Sequence, residues 1–151
     1  MINLPPAGIL NLKESPCQSI VCRHGKCHQN ETTLTGLDDG HLLQEFIQSS
    51  EYAPNIYCYN GKSFAVVLKK TKLKQGIVGN ALAVERVNEP DIAELAIRAA
   101  KAIGLTGPVD IDIRRRSDGT PVVLDVNARF GANLGNAPEV LDAALEDYLH
   151  D

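Results

Sequence analysis

The chain has 151 residues and a net charge of −4, from 15 Lys and Arg against 19 Asp and Glu. That length fits one domain or two small lobes, and a hydrophobic content of 44% is enough for a core. The acidic balance argues against nucleic acid as the main partner. No apolar run approaches the roughly 20 residues of a membrane helix, and no basic-then-apolar leader is present, so a cytoplasmic location is expected.

Residues 1–40 read as a diverged or irregular segment. Pro5, Pro6 and Pro16 interrupt any long element, Ala7 to Lys13 can form a short strand, and His24 to Gly40 is polar and turn-rich. Cys17, Cys22 and Cys27 cluster with His24 and His28, at spacings of five that do not match a Cys-x-x-Cys zinc site. Free thiols, a metal knuckle using Cys17, Cys22, Cys27 and His28, and a disulfide all stay open. A second segment, 41–151, carries the stronger patterns. His41 to Ile47 suits either a helix face or a short buried strand, and Gln48-Ser49-Ser50 reads as a bend.

Ile56 to Tyr59 and Ser63 to Lys70 form a hairpin around Asn60-Gly61, the strongest short-range hairpin signal. The lysines that follow, Lys69, Lys70, Lys72 and Lys74, read as a solvated edge that discourages further pairing. Ala81 to Val84 is a further strand. From Asn88 to Gly104 the pattern predicts a helix. Asn88 is its N-cap and Pro90 lies in its first turn; Ile92, Leu95, Ala96, Ala99, Ala100 and Ile103 form one apolar stripe, and Gly104 terminates it.

The most informative stretch runs from Gly107 to Gly135. Val109, Ile111 and Ile113 alternate with Asp110, Asp112 and Arg114, then Ser117-Asp118-Gly119 turns the chain and Pro121 to Val126 returns. Pairing of the two strands brings Asp112 beside Asp125, with Asn127 two residues further along the same face. Two carboxylates and an amide oxygen are hard donors that suit Mg²⁺ on a phosphate chain, and Arg129 is placed to grip the phosphate. The same acids read alternatively as the solvated face of an antiparallel sheet, and Arg114, Arg115 and Arg116 as a sheet-edge cap. Gly131 to Gly135 reads as a substrate loop or as a plain strand-to-helix connection. A last helix starts at Pro138, with Leu141, Ala144, Leu145 and Tyr148 expected on its buried side.

The order of helix, Asp-x-Asp strand, turn, and strand ending in Asp125-Val126-Asn127-Ala128-Arg129-Phe130-Gly131 resembles the carboxyl-terminal half of the ATP-grasp superfamily. Gln44-Glu45-Phe46-Ile47-Gln48-Ser49-Ser50-Glu51 is similar to the hinge strand of that family. The likeness covers roughly residues 42 to 149. It is nearest the branch of carbamoyl-phosphate synthase large chains and related carboxylate–amine ligases.

The resemblance implies an α+β fold, an antiparallel sheet with flanking helices, like the ATP-grasp carboxyl-terminal lobe. It implies Mg²⁺ (or Mn²⁺) on Asp112, Asp125 and Asn127, catalytic charge stabilisation by Arg129, adenine recognition at Glu45, Phe46 and Ile47, ribose at Glu51, and phosphate contact by Lys70 or Lys72. Glu45 and Glu51 read equally as surface carboxylates. The implied reaction activates a small-molecule carboxylate with ATP as an acyl phosphate, which an amine then attacks. The chain departs from the family pattern in Asp125 for Glu, Ala128 for Pro, and the lack of glycine between Cys17 and Cys22, where a phosphate-covering loop belongs. Lys13-Glu14-Ser15-Pro16 can be a relic of the strand before that loop. These departures imply a fragment, a split subunit completed by a partner chain or homo-oligomer, or a non-catalytic nucleotide-binding or interaction module.

Overall fold

The structure is a computed structural model. It describes the backbone of residues 19–23, 26–29, 42–74 and 79–150, and side chains within these ranges from residue 46 onward. The chain divides into two compact units, Met1–Ile47 and Gln48–Asp151.

In the first unit, β1 (Ser19–Arg23), β2 (Lys26–Gln29) and β3 (Leu42–Glu45) form an antiparallel sheet in the order β2-β1-β3. The expectation of a mostly irregular segment is therefore corrected at β1 and β2. The β-branched pair Ile20-Val21 favours a strand, and β1 gains a neighbour on each side. His41 to Ile47 resolves to a strand over Leu42–Glu45. The backbones of Cys22 and Cys27 are register partners. The side chains of both, together with Cys17, His24, the Ala7 to Lys13 strand and the Lys13 to Pro16 relic, lie outside the described residues.

In the second unit, β4 (Glu51–Tyr59), β5 (Lys62–Leu73), β6 (Ala81–Arg86), β7 (Gly107–Arg115) and β8 (Pro121–Asn127) form one antiparallel sheet, ordered β6-β5-β4-β7-β8. The Asn60-Gly61 turn has positive φ at both residues, 46° and 78°, as a tight hairpin requires. Its strands run well beyond the predicted hairpin, because β4 passes through Pro54. A proline lacks an N–H, and the β4–β7 ladder skips Ala53 and Pro54 between the Tyr52–Ile113 and Asn55–Asp110 pairs.

Helix α1 (Pro90–Ala102) covers one face of this sheet. Its Ile92, Ala96 and Ala100 pack on Tyr52, Ile56, Cys58, Val67, Val109, Ile111 and Ile113, so the apolar half of the alternating β7 strand is the core side, as its sequence predicts. The N-cap is Glu89, one residue later than expected, and it makes no side-chain cap bond. Its carboxylate goes instead to Arg115 Nη2 at 2.7 Å, and Asp91 takes two more bonds from the same guanidinium at 2.6 and 2.8 Å. At the other end Gly104 (φ 72°) donates to Lys101 O and Leu105 to Ala100 O, a Schellman closure that turns the chain before Ile103 can join the buried stripe. Ile103 is therefore 60% exposed.

Helix α2 (Pro138–His150) lies on the opposite face. Ala137 and Val140 pack with Tyr57, Val66 and Leu68, flanked by Ala143 and Ala144. Of the predicted buried side, Ala144 packs there as expected and the other three residues are corrected. Leu141, Leu145 and Tyr148 are exposed, Tyr148 at 82%. The Tyr57 hydroxyl emerges from the sheet and donates to Asp147 Oδ2 at 2.7 Å, which sets the helix about one residue's rotation away from its most apolar side. Among the described residues no helix is long and apolar enough to cross a membrane.

Candidate functional site

Helix α2 and Ala137 cover only one end of their sheet face. The alternation that sends Val109, Ile111 and Ile113 to the core sends Asp110, Asp112 and Arg114 to this side, where β4 contributes Glu51 and Asn55, β5 Lys70, and β8 Asp125 and Asn127. Register explains their meeting. Glu51 lies opposite Lys70 on one neighbour and Arg114 on the other, Asp112 opposite Asp125, and Asp110 between Asn55 and Asn127. A bulge follows at β8, where Ile113 pairs with Val123 and Leu124 is the extra residue. Val122 and Val123 thus keep their pairing while Asp125 stays level with Asp112.

Glu51 is the hub of a buried ion network. Its Oε2 accepts from Arg114 Nη2 at 2.6 Å and Nε at 2.9 Å, and its Oε1 accepts from Lys70 Nζ at 2.5 Å. Lys70 Nζ also reaches Asp112 Oδ1 at 2.8 Å. The Lys70 side chain is only 7% exposed, so the lysine run is not uniformly a solvated edge, and of the two expected phosphate lysines it is Lys70 that faces the acids while Lys72 is exposed. The arginine triplet is likewise not one edge cap. Arg114 is buried in this network, whereas Arg115 faces the α1 side, with its guanidinium 5.7 Å from the centre of the Tyr52 ring.

Burial pushes the Asp112 carboxyl up to about 6, against the opposing pull of the Lys70 ammonium. Burial also disfavours the charge on Lys70, but Asp112 and Glu51 outweigh it and hold the ammonium above its ordinary value. Asp125 is exposed, and Asn127 Nδ2 donates to its Oδ2 at 2.9 Å. Arg129 lies just past β8 with its side chain 57% exposed; Nη1 donates to Phe130 O at 2.8 Å and lies 3.4 Å from Asp110 Oδ2.

Three residues outside the predicted set belong to this face. Asp110 is not a solvated carboxylate: its side chain is 14% exposed, and burial raises its pKa although Arg129 pulls it down. Asn55 is 1% exposed; its Nδ2 donates to Ala53 O at 3.1 Å, and its Oδ1 has no hydrogen-bond partner among the described residues. Gly131 closes over both, since a Cβ there would stand 2.5 Å from Asn55 Oδ1 and 2.8 Å from Asp110 Oδ1. The two-residue period of β7 already put Asp110 beside Asp112. Gly131 stood in the quoted motif and in a loop read as a substrate loop, but Asn55 had no local signal, because its closeness to Gly131 joins segments far apart in sequence.

Glu45, Phe46 and Ile47 belong to the first unit. Glu45 ends β3 and its side chain lies outside the described residues, while Phe46 and Ile47 follow as buried non-strand residues.

Among the described residues no three His, Cys, Asp or Glu groups stand close enough to hold a metal ion by themselves. The donors fit a hard cation in a different way: two carboxylates level across a strand pair, an amide next along, and room for outside oxygens at the exposed Asp125. Mg²⁺ is commonly held by one or two carboxylates with nucleotide phosphates and water completing its shell.

This antiparallel α+β lobe thus presents paired acids, an amide and a lysine on one sheet face. The model of the ATP-grasp domain matches residues 14–133, and the chain belongs to that family. Its fold is similar to that of an L-amino acid ligase from Bacillus licheniformis (TM-score 0.54, 21% identity, 83% of this chain and 35% of that one). It is also similar to the ATP-grasp ligase PsnB complexed with precursor peptide PsnA2 and AMPPNP (TM-score 0.58, 17% identity, 85% of this chain and 45% of that one). PsnB complexed with a phosphomimetic variant of its minimal precursor, Mg and ADP gives a TM-score of 0.52 at 17% identity, over 85% of this chain and 46% of that one. At these identities the likeness is one of fold. The chain spans 35% to 46% of the length of these structures. A comparison with curated proteins found no match.

Proposed function

We propose that the chain supplies the phosphate- and metal-binding lobe of an ATP-dependent carboxylate–amine ligase that works through an acyl phosphate. The observation that carries this reading is the level pair Asp112 and Asp125, with Asn127 alongside and the Lys70 ammonium 2.8 Å from Asp112. Asp112, Asp125 and Asn127 would hold Mg²⁺ or Mn²⁺, which when bound neutralises phosphate charge and aligns the transferred group. Lys70 contacts the phosphates, and Arg129, exposed at the end of β8, stabilises charge on the transferred phosphoryl group or the acyl phosphate. Glu51, with both oxygens engaged, positions Lys70 and Arg114 rather than accepting ribose. Glu45, Phe46 and Ile47 remain the residues proposed for adenine.

Isothermal titration of the chain with ATP and Mg²⁺ tests binding, and release of ADP and phosphate with a carboxylate and an amine tests the reaction. Because the fold neighbours include an amino acid ligase and an enzyme complexed with a peptide, amino acids and peptides are the substrates to try first. Absence of binding, alone and with a candidate partner chain, would sink the proposal. The closed network of Glu51, Lys70, Arg114 and Asp112 favours a second reading, a non-catalytic module whose charges are already satisfied by one another. ADP release that depends on both substrates and is lost in Asp125→Asn excludes it.

A further inference from the structure

The ion network has a consequence for the order in which ligands bind, which rests on the ATP and Mg²⁺ reading of this face. Lys70 Nζ bridges Glu51 Oε1 and Asp112 Oδ1, and Arg114 occupies the other oxygen of Glu51. Among the described residues, the groups gathered on this face are four carboxylates, Glu51, Asp110, Asp112 and Asp125, and three cations, Lys70, Arg114 and Arg129. Of these cations Arg114 is tied to Glu51 through two of its nitrogens and is buried, while Arg129 leans on Asp110. Lys70 is the cation in contact with the Asp112 carboxylate, and it stands on a long flexible stem.

A divalent ion approaching Asp112 thus meets a carboxylate already neutralised by an ammonium and feels repulsion from that ammonium. A phosphate chain approaching Lys70 meets an ammonium already shared by two carboxylates. Each ligand is hindered by the contact that the other would break. If phosphate oxygens take the ammonium, Asp112 is released to the metal; if metal takes Asp112, the ammonium is released toward phosphate.

We propose that Lys70 is a resident cation on the metal face, and that its transfer from Asp112 to nucleotide phosphate couples metal binding to nucleotide binding. Lys70 is then a positioning residue for the metal site as well as a phosphate contact. Linkage makes the coupling reciprocal, so metal and nucleotide each tighten the other.

The test uses the full chain and Mn²⁺ alone, followed by electron paramagnetic resonance of the free ion, with no turnover involved. Lys70→Met keeps the length of the stem and removes the charge; Lys70→Arg keeps the charge. Lys70→Met is expected to bind Mn²⁺ alone roughly tenfold tighter than the unsubstituted chain, and Lys70→Arg to stay near it. Mn²⁺ affinity unchanged in Lys70→Met, with weaker binding of Mg²⁺–AMPPNP, would overturn the proposal and leave Lys70 as a phosphate contact only. In the unsubstituted chain the ¹⁵Nζ resonance of Lys70 gives a second check without any substitution. It must move when AMPPNP and Mg²⁺ are added together, and a resonance that stays fixed while titration shows the complex forming also overturns the proposal. Failure of the unsubstituted chain to bind Mg²⁺–AMPPNP at all is a different result, since it removes the nucleotide reading itself.

Discussion

Asp112→Asn separates the cost of a buried charge from the fold that holds it. In the folded chain Asp112 keeps its proton up to about pH 6, and in the unfolded chain it loses it near 3.8. A carboxyl whose folded pKa is raised contributes stability that is fully present below 3.8 and lost as pH climbs through 6. The gap corresponds to about 3 kcal/mol at about 1.4 kcal/mol per pH unit, an upper figure because the side chain is partly open to solvent. Asparagine has nearly the same shape and does not titrate. Urea unfolding of both chains at pH 4, 5, 6, 7 and 8 should therefore show the difference in stability between variant and parent swinging by 1 to about 3 kcal/mol in favour of the variant from pH 4 to pH 7, then levelling. Taking the difference removes the carboxylates remote from Asp112, which have the same surroundings in both chains. The pull of the Lys70 ammonium is already contained in the value of about 6, so it adds no separate slope. A difference that is flat between pH 4 and 7, or that favours the parent as pH rises, would refute the reasoning that burial outweighs the ammonium at this site.

Other expectations follow from the same geometry. Glu51→Gln removes the carboxylate charge that the buried Arg114 and Lys70 share, and should lower the unfolding free energy by about 3–5 kcal/mol in urea titration. Gly131→Ala forces a methyl group against Asn55 Oδ1 and should cost about 1–3 kcal/mol; Asn55→Ala in the same chain should return a good part of that, which a double-mutant cycle reads directly. Asp125→Asn, on an exposed residue, should change stability by less than about 0.5 kcal/mol yet weaken Mg²⁺–ATP binding by roughly tenfold or more in calorimetry. Val140→Ala should cost about 2 kcal/mol, whereas Leu145→Glu on the same helix should stay within about 0.5 kcal/mol; the reverse ranking would place α2 the other way round.

The local code was legible where one element carries its own signal. Asn60-Gly61 announces a hairpin because both turn residues need positive φ, and Gly104 announces a helix end for the same reason. The alternation of Val109 to Arg114 sorts three apolar residues to the core and three charged ones to the opposite face, and that single pattern placed Asp112 level with Asp125. Patterns failed where a second element had a say. The apolar stripe of the last helix pointed to Leu141, Leu145 and Tyr148, but the helix instead turns Val140 and Ala144 to the sheet and Asp147 to the Tyr57 hydroxyl. The lysine run looked solvated because periodicity cannot tell that one of its members, Lys70, meets Glu51 across one ladder and Asp112 across the next strand but one.

By itself, then, the sequence determined the two strands and the turn that pair the acids, the amide that follows them, the capped helix on the far side, and through these the likeness to the ATP-grasp family. Those are properties of period and local conformation, fixed within a few residues of one another. Tertiary structure alone decided which lysine and which arginine the acids receive, that Asn55 is buried and Asp110 half-buried among them, and that a side chain at 131 would press on both. Such contacts join strands dozens of residues apart, and their energies depend on desolvation, which exists only once the sheet and its helices have excluded water.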